Sequence, residues 1–159
     1  MALILVRHTT PAVADGVCYG QTDLDLIDSF PVEAAAVSAS LPDFQRIVSS
    51  PLTRCRKLAD YLAGMSNIPV VEDPRIIEMD FGSWEKQLWS TIPREELNSW
   101  AADFLNARPH GGESVAMLRN RTAEALLNWN ESGTTTVIVT HAGVIKAALA
   151  DGDSASDFE

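Results

Sequence analysis

The chain has 159 residues, of which 46% are apolar and 21% charged, and its formal net charge at pH 7 is −10. This length suits one domain with its own hydrophobic core. The acidic balance argues against nucleic acid as a partner, because neutralising a phosphate backbone takes clustered Lys and Arg. A negative net charge is nevertheless compatible with a small anionic substrate. The electrostatic potential in a cleft is set mainly by the few cations that line it, because distant carboxylates are screened by salt.

The sequence also argues against secretion and membrane insertion. No stretch approaches the roughly 20 apolar residues that span a membrane. The N-terminal apolar run is too short for a signal peptide and lacks its basic flank. Cys18 and Cys55 lack the spacing of a metal site or a disulfide scaffold, and both are expected to be buried. We therefore predict a cytoplasmic protein with no membrane partner.

The first predicted element is a buried strand at residues 2–6, whose apolar run ends in Arg7 and His8. Short runs of this kind are typical of parallel strands covered on both faces. Residues 9–28 have no periodicity and are rich in Gly and Asp, so a long functional loop is expected. We interpret Tyr19 and Gly20 in this loop as part of the wall of a binding site.

Helices and strands then alternate. A helix is predicted at residues 31–41 and a strand at residues 46–49. Ser50 and Pro51 are typical of a helix N-cap and first helical residue, and an apolar face continues to residue 64. Arg54 falls in the first turn, off that face. A cation is disfavoured there, so its position suggests that an anion binds at the same end.

The second half of the chain continues this alternation. Periodicity and β-branched content predict a strand at 70–71, an extended segment at 75–80, a turn at 81–85, a helix at 93–106, a loop at 109–112, a helix at 113–130, a strand at 134–140 and a helix at 144–150. We expect one domain over residues 1–150, followed by a disordered acidic tail at 151–159. The order of elements predicts a three-layer α/β/α sandwich with a mostly parallel central sheet.

Polar side chains follow three of the predicted strands. Arg7 and His8 follow the first, Ser50 and Arg54 come after the second, and His141 follows the last long strand. In open α/β sheets, ligands bind beyond the carboxyl ends of the strands. Two arginines and two histidines at one edge of a sheet therefore predict an anion site.

Five separated motifs, in matching order, resemble the histidine phosphatase superfamily, which includes cofactor-dependent phosphoglycerate mutases and many phosphomonoesterases. They read LVRHT at 5–9, SSPLTRC at 49–55, EMDFGSWE at 78–85, GGES at 111–114 and THAGV at 140–144. Within the superfamily, the Arg-His-Thr form and GVCYGQTD at 16–23 look most like the α-ribazole phosphatases. The resemblance covers residues 3–146 and implies a phosphoglycerate mutase-like fold.

The resemblance also implies a role for each site residue. His8 would be the nucleophile that takes the phosphoryl group, while Arg7, Arg54 and His141 would bind its oxygens. Glu78 would donate a proton to the leaving oxygen and then act as a base towards water. Neutral imidazole is a competent nucleophile, and fixed cations stabilise the charge that develops during transfer. We expect the arginines to lower the pKa of His8 and burial or a like charge to raise that of Glu78.

Alternatives stay open for the acid and for one histidine. Asp80 or Glu85 could donate the proton instead, although spacing within the motif favours Glu78. His110 lies in a Gly-rich loop and is interpreted as a loop residue rather than a catalyst, with substrate contact as its other role. No carboxylate-rich cluster suggests a metal site, and no cofactor is expected.

Aromatic residues near the motifs are candidates for binding the rest of the substrate. Tyr19 and Trp84 are taken as substrate-binding candidates together with Gly20, whereas Phe81 is expected in the core. Aromatic residues are buried in cores by default, which makes these assignments weaker than those of the charged residues.

Two departures from the family pattern bear on function. Ala14 stands where mutases and many relatives have Asn, which disfavours a mutase. The family usually continues after His141 through more helix and a further strand. Without that strand a sheet edge would be open, which favours self-association, so a homo-oligomer is among the predicted partners.

We therefore predict a metal-independent phosphomonoesterase that acts through phosphohistidine on a small phosphorylated substrate. The resemblance alone implies α-ribazole 5′-phosphate, used in assembly of the cobalamin nucleotide loop. A broad-specificity phosphatase and a phosphoglycerate mutase-like enzyme are alternatives. A catalytically inactive domain that binds phosphate ligands is an alternative of another class, disfavoured because His8, Arg54, Glu78 and His141 occur together.

Overall fold

Residues 2–158 are described by a computed structural model, with a four-stranded parallel sheet at its centre. The strands are β1 (Ala2–Arg7), β2 (Arg46–Ser49), β3 (Val70–Glu72) and β4 (Thr135–Thr140), in the spatial order β1-β4-β2-β3. The α-helices are α1 (Phe30–Ser40), α2 (Thr53–Ser66), α3 (Arg94–Ala102), α4 (Val115–Trp129) and α5 (Ala142–Leu149). The predicted α/β fold with a mostly parallel sheet is confirmed.

Hydrophobic layers cover both faces of the sheet. Successive side chains of a strand point to opposite faces, and the fully buried residues of β2 and β4 divide accordingly. Ile47, Val137 and Val139 pack in a cluster with α1 and α2. Val48 and Ile138 pack in a second cluster with α4 and α5. This division produces the predicted three layers.

The strand register places three carboxyl ends side by side. Arg7 pairs with Thr140 between β1 and β4, and Ser49 pairs with Val139 between β2 and β4. The segments that follow these strands therefore start from one edge of the sheet, as the sequence predicted. β1 forms one border of the sheet, and the homo-oligomer stays a prediction.

The start of α2 differs from the prediction. Ser50 does not cap this helix, which begins at Thr53 with Leu52 at the N-cap position. The Ser50 hydroxyl instead lies 2.8 Å from Nε2 of His141. Ser50, whose neighbouring sequence is typical of a helix N-cap, therefore contacts and positions His141 instead.

The segment after β3 also differs from the prediction. Residues 75–80 were expected to be extended, but they begin inside a 3-10 turn at Pro74–Ile76. Asp73 stabilises this turn, because its side chain accepts the backbone N–H and the guanidinium of Arg75. The helix predicted at 93–106 is shorter, since α3 ends at Ala102.

Residues 151–157 of the acidic tail are mostly exposed, Phe158 is buried and Glu159 lies outside the described residues, and the disorder of this tail stays a prediction. A 3-10 helix at Ala155–Phe158 buries Phe158, whose ring contacts that of Phe104 edge-on at 5.3 Å. One aromatic side chain thus anchors a segment whose composition alone suggests disorder. Among the described residues, no helix is long and apolar enough to cross a membrane.

Candidate active site

His8 follows β1 directly and presents one ring nitrogen for chemistry. Its backbone N–H donates to the Thr140 carbonyl at 3.0 Å, which continues the pairing of β1 with β4. Its Nδ1 lies 2.7 Å from the Thr9 carbonyl oxygen. A carbonyl can only accept, so this contact places the hydrogen of a neutral ring on Nδ1 and leaves the lone pair on Nε2.

Arg54 is fully buried at the start of α2 and contacts that lone pair. Its Nε donates to His8 Nε2 at 3.3 Å, while Nη1 and Nη2 donate to the carbonyls of Thr22 and Gly20 at 2.7 and 2.6 Å. The guanidinium also lies over the ring of Tyr19, 5.2 Å from its centroid. A buried cation needs such partners to offset its lost hydration. The loop from 9 to 28 thus holds the arginine that contacts His8.

Glu85 also binds the loop of residues 9–28. Its carboxylate accepts the backbone N–H groups of Gly20 and Gln21, both at 2.8 Å, and the Thr22 hydroxyl at 2.7 Å. It also accepts the Phe81 backbone N–H at 3.4 Å. Because these donors surround both oxygens, Glu85 is placed to position the loop rather than to protonate a leaving group.

His141 follows β4 and lies edge-on to His8, with ring centroids 5.3 Å apart. It is fully buried, and its Nε2 is within 2.8 Å of the Ser50 hydroxyl and 3.4 Å of the Cys55 sulfur. Burial, assisted by the nearby charge of Arg54, lowers the pKa of His141 to about 2. At neutral pH, His141 is therefore an uncharged hydrogen-bonding group.

The environment of His8 favours the nucleophilic form. Burial is the main cause that lowers the pKa of His8 to about 4, and the charges of Arg54 and Arg7 act in the same direction. The hydrogen bond to the Thr9 carbonyl opposes them. The imidazole is consequently neutral at pH 7; the expected effect of the arginines is present, but burial is the larger cause.

Glu78 lies in the segment after β3 and is 8% exposed. Its carboxyl oxygens accept the backbone N–H groups of Met79 at 2.9 Å and Gly143 at 3.0 Å. Burial raises the pKa of Glu78, although these two hydrogen bonds and the charges of Arg54 and Arg121 oppose the shift. This direction matches the expectation for a group that must carry a proton.

Gly143 makes the position of Glu78 possible. A Cβ atom at residue 143 would lie 2.2 Å from Oε1 of Glu78, well inside van der Waals contact. The glycine in the THAGV motif thus allows the acid to approach the start of α5.

A half-buried ion pair holds the backbone that carries Glu78. Arg121 on α4 forms a bidentate pair with Glu113, at 2.7 and 2.8 Å. The same guanidinium donates to the carbonyls of Arg75, Ile77 and Glu78. These contacts engage all three nitrogens of the guanidinium, and they order the irregular chain between β3 and the acid.

The remaining charged candidates lie nearer the surface. Arg7 is exposed and lines, with His8, an open hollow that also includes Glu33. Asp80, the other alternative acid, accepts the backbone N–H of Gly82 at 2.8 Å and so stabilises a turn. The geometry therefore brings Arg7, His8, Arg54 and His141 to one place, with Glu78 adjoining them.

One aromatic assignment is wrong and another is confirmed. Trp84, a candidate for substrate binding, is 1% exposed and donates its Nε1–H to Glu96 at 2.6 Å, so it belongs to the core. Phe81 packs against the core, as expected, and it also lines a cavity beside Glu78. His110 is buried in its loop, where Nδ1 accepts the Gly112 backbone N–H at 2.9 Å.

Within residues 2–158, no group of three or more His, Cys, Asp or Glu side chains is arranged to hold a metal ion. Cys18 and Cys55 are both free and buried, as predicted. Burial raises the pKa of each thiol to about 12, so both remain protonated at neutral pH.

Comparison with known proteins identifies a matching family and several relatives of this chain. Residues 3–155 match the family model for the histidine phosphatase superfamily (branch 1). Phosphoserine phosphatase 1 of Hydrogenobacter thermophilus is 31% identical over 156 residues, which cover 91% of this chain and 72% of that protein. Adenosylcobalamin/alpha-ribazole phosphatase of Salmonella typhimurium is 28% identical over 158 residues, which cover 94% and 78%.

A solved structure extends the comparison to the fold. The crystal structure of phosphoglycerate mutase from Thermus thermophilus aligns with a TM-score of 0.77 at 29% identity, over 96% of this chain and 85% of that one. The predicted phosphoglycerate mutase-like fold is thereby confirmed. These relatives have names that refer to three different substrates, so similarity alone does not select one.

Proposed function

This chain belongs to the histidine phosphatase superfamily (branch 1), and we propose that it hydrolyses a small phosphate monoester through a phosphohistidine intermediate on His8. The coarser class, a phosphatase or mutase-like enzyme, follows from the family. One observation carries the proposal: the lone pair of His8 Nε2 faces the guanidinium of Arg54, while Nδ1–H is held by the Thr9 carbonyl. A nucleophile must be both unprotonated and oriented, and this ring meets both conditions.

The first step transfers the phosphoryl group to the enzyme. The lone pair of His8 Nε2 forms a bond to phosphorus while the bond from phosphorus to the ester oxygen breaks. Glu78, in its protonated form, gives its proton to that oxygen, and an alcohol leaves. Arg7, Arg54 and His141 bind the phosphoryl oxygens, where charge is stabilised most strongly in a site that excludes water.

The second step returns the enzyme to its starting state. Glu78, now a carboxylate, takes a proton from a water molecule whose oxygen attacks phosphorus. The bond between phosphorus and His8 Nε2 breaks, the electron pair returns to the ring, and inorganic phosphate leaves. The hydrogen bond from Nδ1 to the Thr9 carbonyl stabilises the positive charge of the phosphorylated ring between the two steps.

Within this class, we propose α-ribazole 5′-phosphate as the substrate. Support comes from the GVCYGQTD segment, from the similarity to adenosylcobalamin/alpha-ribazole phosphatase, and from Ala14, which lacks the amide that the mutase pattern has at this position. Gly20 and Thr22 of that segment hold Arg54, so the segment that carries the resemblance also shapes the phosphate site.

The test combines turnover with detection of the intermediate. The purified protein is incubated with α-ribazole 5′-phosphate, phosphoserine and 3-phosphoglycerate in excess chelator. Phosphate release is measured, and acid-labile phosphorylated protein is sought by mass spectrometry. We expect turnover to be fastest with α-ribazole 5′-phosphate and phosphorylation to map to His8. His8→Ala should abolish both signals, whereas His110→Asn, which keeps an acceptor in the loop, should retain them.

Each other outcome has a definite meaning. Preference for phosphoserine would contradict the substrate, and transfer of phosphate between positions of phosphoglycerate would favour a mutase. Loss of turnover in chelator would contradict the metal-independent mechanism. Binding of inorganic phosphate without turnover of any ester would favour an inactive binding domain.

A further inference from the structure

A cavity of about 350 Å³ adjoins Glu78, and we propose that it binds the leaving group of the ester as a flat, uncharged aromatic ring system. This assignment rests on the proposed phosphatase function and names its substrate class. Glu78 and Gly143 are among the residues that line the cavity, and Gly143 lies in α5, which His141 directly precedes. An ester whose oxygen is protonated by Glu78 must extend its leaving group away from the phosphate-binding cations, and this cavity adjoins the acid.

Five of the twelve residues that line the cavity are aromatic. The rings of Trp89 and Trp100 lie nearly parallel, with an interplanar angle of 16° and centroids 6.4 Å apart. Phe81 stands almost perpendicular to both, at 86° and 81°. Aromatic rings pack best edge-to-face or offset against other rings, so these walls favour a planar guest over a branched or polar one.

The charges around the cavity also restrict the guest. Glu78 and Lys146 are the ionisable groups on its lining within the described chain. Glu78 is protonated in the first step, so Lys146 is the remaining charge; it would repel the ammonium group of serine but attract its carboxylate. The stronger restriction is desolvation, because moving both charges of a zwitterion such as serine into these walls would cost their hydration. Phosphoserine is therefore a poor fit, whereas a neutral ring loses little on leaving water.

The size of the cavity is adequate for such a group. Binding pockets for small molecules span about 300–1,000 Å³ and are lined mainly by apolar and aromatic side chains with a few polar groups. The aliphatic part of the lining comes from Met79, Val115 and Leu118. A bicyclic ring joined to the ester oxygen directly or through a sugar would bring its apolar surface against these walls.

The test compares two esters of primary alcohols, 2-naphthylmethyl phosphate and ethyl phosphate. Their leaving oxygens are of similar basicity, so a difference in kcat/KM reports contact with the leaving group rather than its intrinsic reactivity. We expect kcat/KM to be about 100-fold higher for the naphthylmethyl ester, the factor that burial of one large apolar group supplies. Phosphoserine should not exceed ethyl phosphate.

A variant and its neighbour locate the effect in the cavity. Trp89→Ala removes one wall and should lower the naphthylmethyl-to-ethyl ratio about tenfold, as expected for the loss of part of the ring contact. Leu88→Ala is the matched control, because Leu88 is 43% exposed and lies outside the cavity. Equal kcat/KM for the two esters, or an equal drop in ratio in both variants, would overturn the assignment.

A binding measurement separates this inference from the proposed function. Equilibrium dialysis with 2-naphthylmethanol, which carries no phosphate, tests the cavity without any catalysis. Saturable binding to the protein that is lost in Trp89→Ala and kept in Leu88→Ala would support the aromatic site even if no ester were hydrolysed. Absence of binding to the folded protein would overturn it, even if phosphohistidine formed.

Discussion

Arg54 Nε donates a hydrogen bond to His8 Nε2 at 3.3 Å, so the nitrogen proposed as the nucleophile is engaged by a cation proposed to bind the phosphoryl oxygens. The lone pair cannot accept this hydrogen bond and form a bond to phosphorus at the same time. The proposed mechanism therefore requires that the Arg54 N–H turns from the ring to a phosphoryl oxygen when the ester binds. The same movement would release the lone pair and place positive charge next to the phosphoryl oxygens.

Replacing Arg54 by Lys tests this relationship. Lysine keeps the charge, but its single ammonium cannot contact the ring, the Gly20 carbonyl and the Thr22 carbonyl in one plane. We expect kcat/KM to fall by about 10²–10³-fold, the usual cost of removing one preorganised donor. Arg56→Lys, on the same helix but in contact with Asp60, should remain within about twofold. Activity of Arg54→Lys within a few-fold of the wild type would show that charge alone suffices.

A pair of amide substitutions distinguishes the acid from the residue that positions the loop. Glu78→Gln removes the transferable proton and should lower kcat about 10²–10⁴-fold, the contribution typical of general acid catalysis. It should also remove the basic limb of the pH profile. Glu85→Gln leaves one oxygen to accept from Gly20, Gln21 and Thr22, so we expect a smaller loss of kcat, about tenfold, with that limb retained.

The exposed Glu95 on α3 provides the matched control, since Glu95→Gln should behave as the wild type. Loss of the basic limb in Glu85→Gln, with Glu78→Gln keeping it, would assign the proton to Glu85 instead.

The pH dependence of kcat/KM follows from the two shifted groups. His8 must be neutral, and its pKa of about 4 places the acidic limb near pH 4, with activity lost as pH falls through that value. Glu78 must be protonated, and its raised pKa places the basic limb above the usual range of a carboxylic acid. The profile should therefore be bell-shaped.

Initial rates over pH 3–9, with samples returned to pH 7 to confirm reversibility, check this profile. An acidic limb near the ordinary histidine pKa of about 6.5 would contradict the environment assigned to His8.

The edge of the sheet that carries the candidate site could be predicted from the sequence because its signals are local. Apolar runs that end in Arg7 and His8 and in His141 identify strand ends, and parallel strands bring such ends together. Arg54 was recognisable for a similar reason, as a cation in the first turn of an amphipathic helix. Periodicity therefore located the residues of the proposed phosphate site, although not their hydrogen bonds.

The features that could not be predicted from the sequence depend on contacts between segments that lie far apart in the chain. Glu85 binds residues 63 to 65 positions earlier, and no local pattern distinguishes this role from that of an acid. Trp84 lies in an irregular segment without a helical or strand period, so its exposure could not be assigned. Phe158 was missed because its acidic neighbours dominate the composition of the tail.

The ion pair between Arg121 and Glu113 should stabilise the segment that carries Glu78. Arg121→Met leaves a largely buried carboxylate and three backbone carbonyls without their donor, so we expect the free energy of unfolding to fall by about 3 kcal/mol. Glu113→Gln should cost less, because the arginine keeps its carbonyl partners.

Urea unfolding of the two single variants and of the double variant gives the coupling energy directly. Arg119→Met is the control, since its partner Asp153 is exposed and such pairs contribute about 0–1 kcal/mol. Additive effects of the two substitutions would show that Arg121 acts through the carbonyls and not through Glu113.

The two site histidines should make the protein sensitive to acid. In the unfolded chain each titrates near its ordinary pKa of about 6.5, whereas folding lowers the pKa of His8 to about 4 and that of His141 to about 2. Below about pH 6.5 the unfolded state binds more protons than the folded state, so stability falls as pH falls. The slope is about 1.4 kcal/mol per pH unit for each histidine, for both down to about pH 4 and for His141 alone below it.

Urea midpoints measured between pH 8 and pH 4 test this dependence. His8→Gln should reduce the dependence of the free energy of unfolding on pH by the contribution of one histidine, because glutamine does not titrate. Leu127→Ala, at an exposed position of α4, should leave the slope unchanged. An unchanged slope in His8→Gln would mean that His8 has a similar pKa in the folded and unfolded chain. In that case the neutral form of His8 at pH 7 would follow from an ordinary histidine pKa and not from burial beside Arg54.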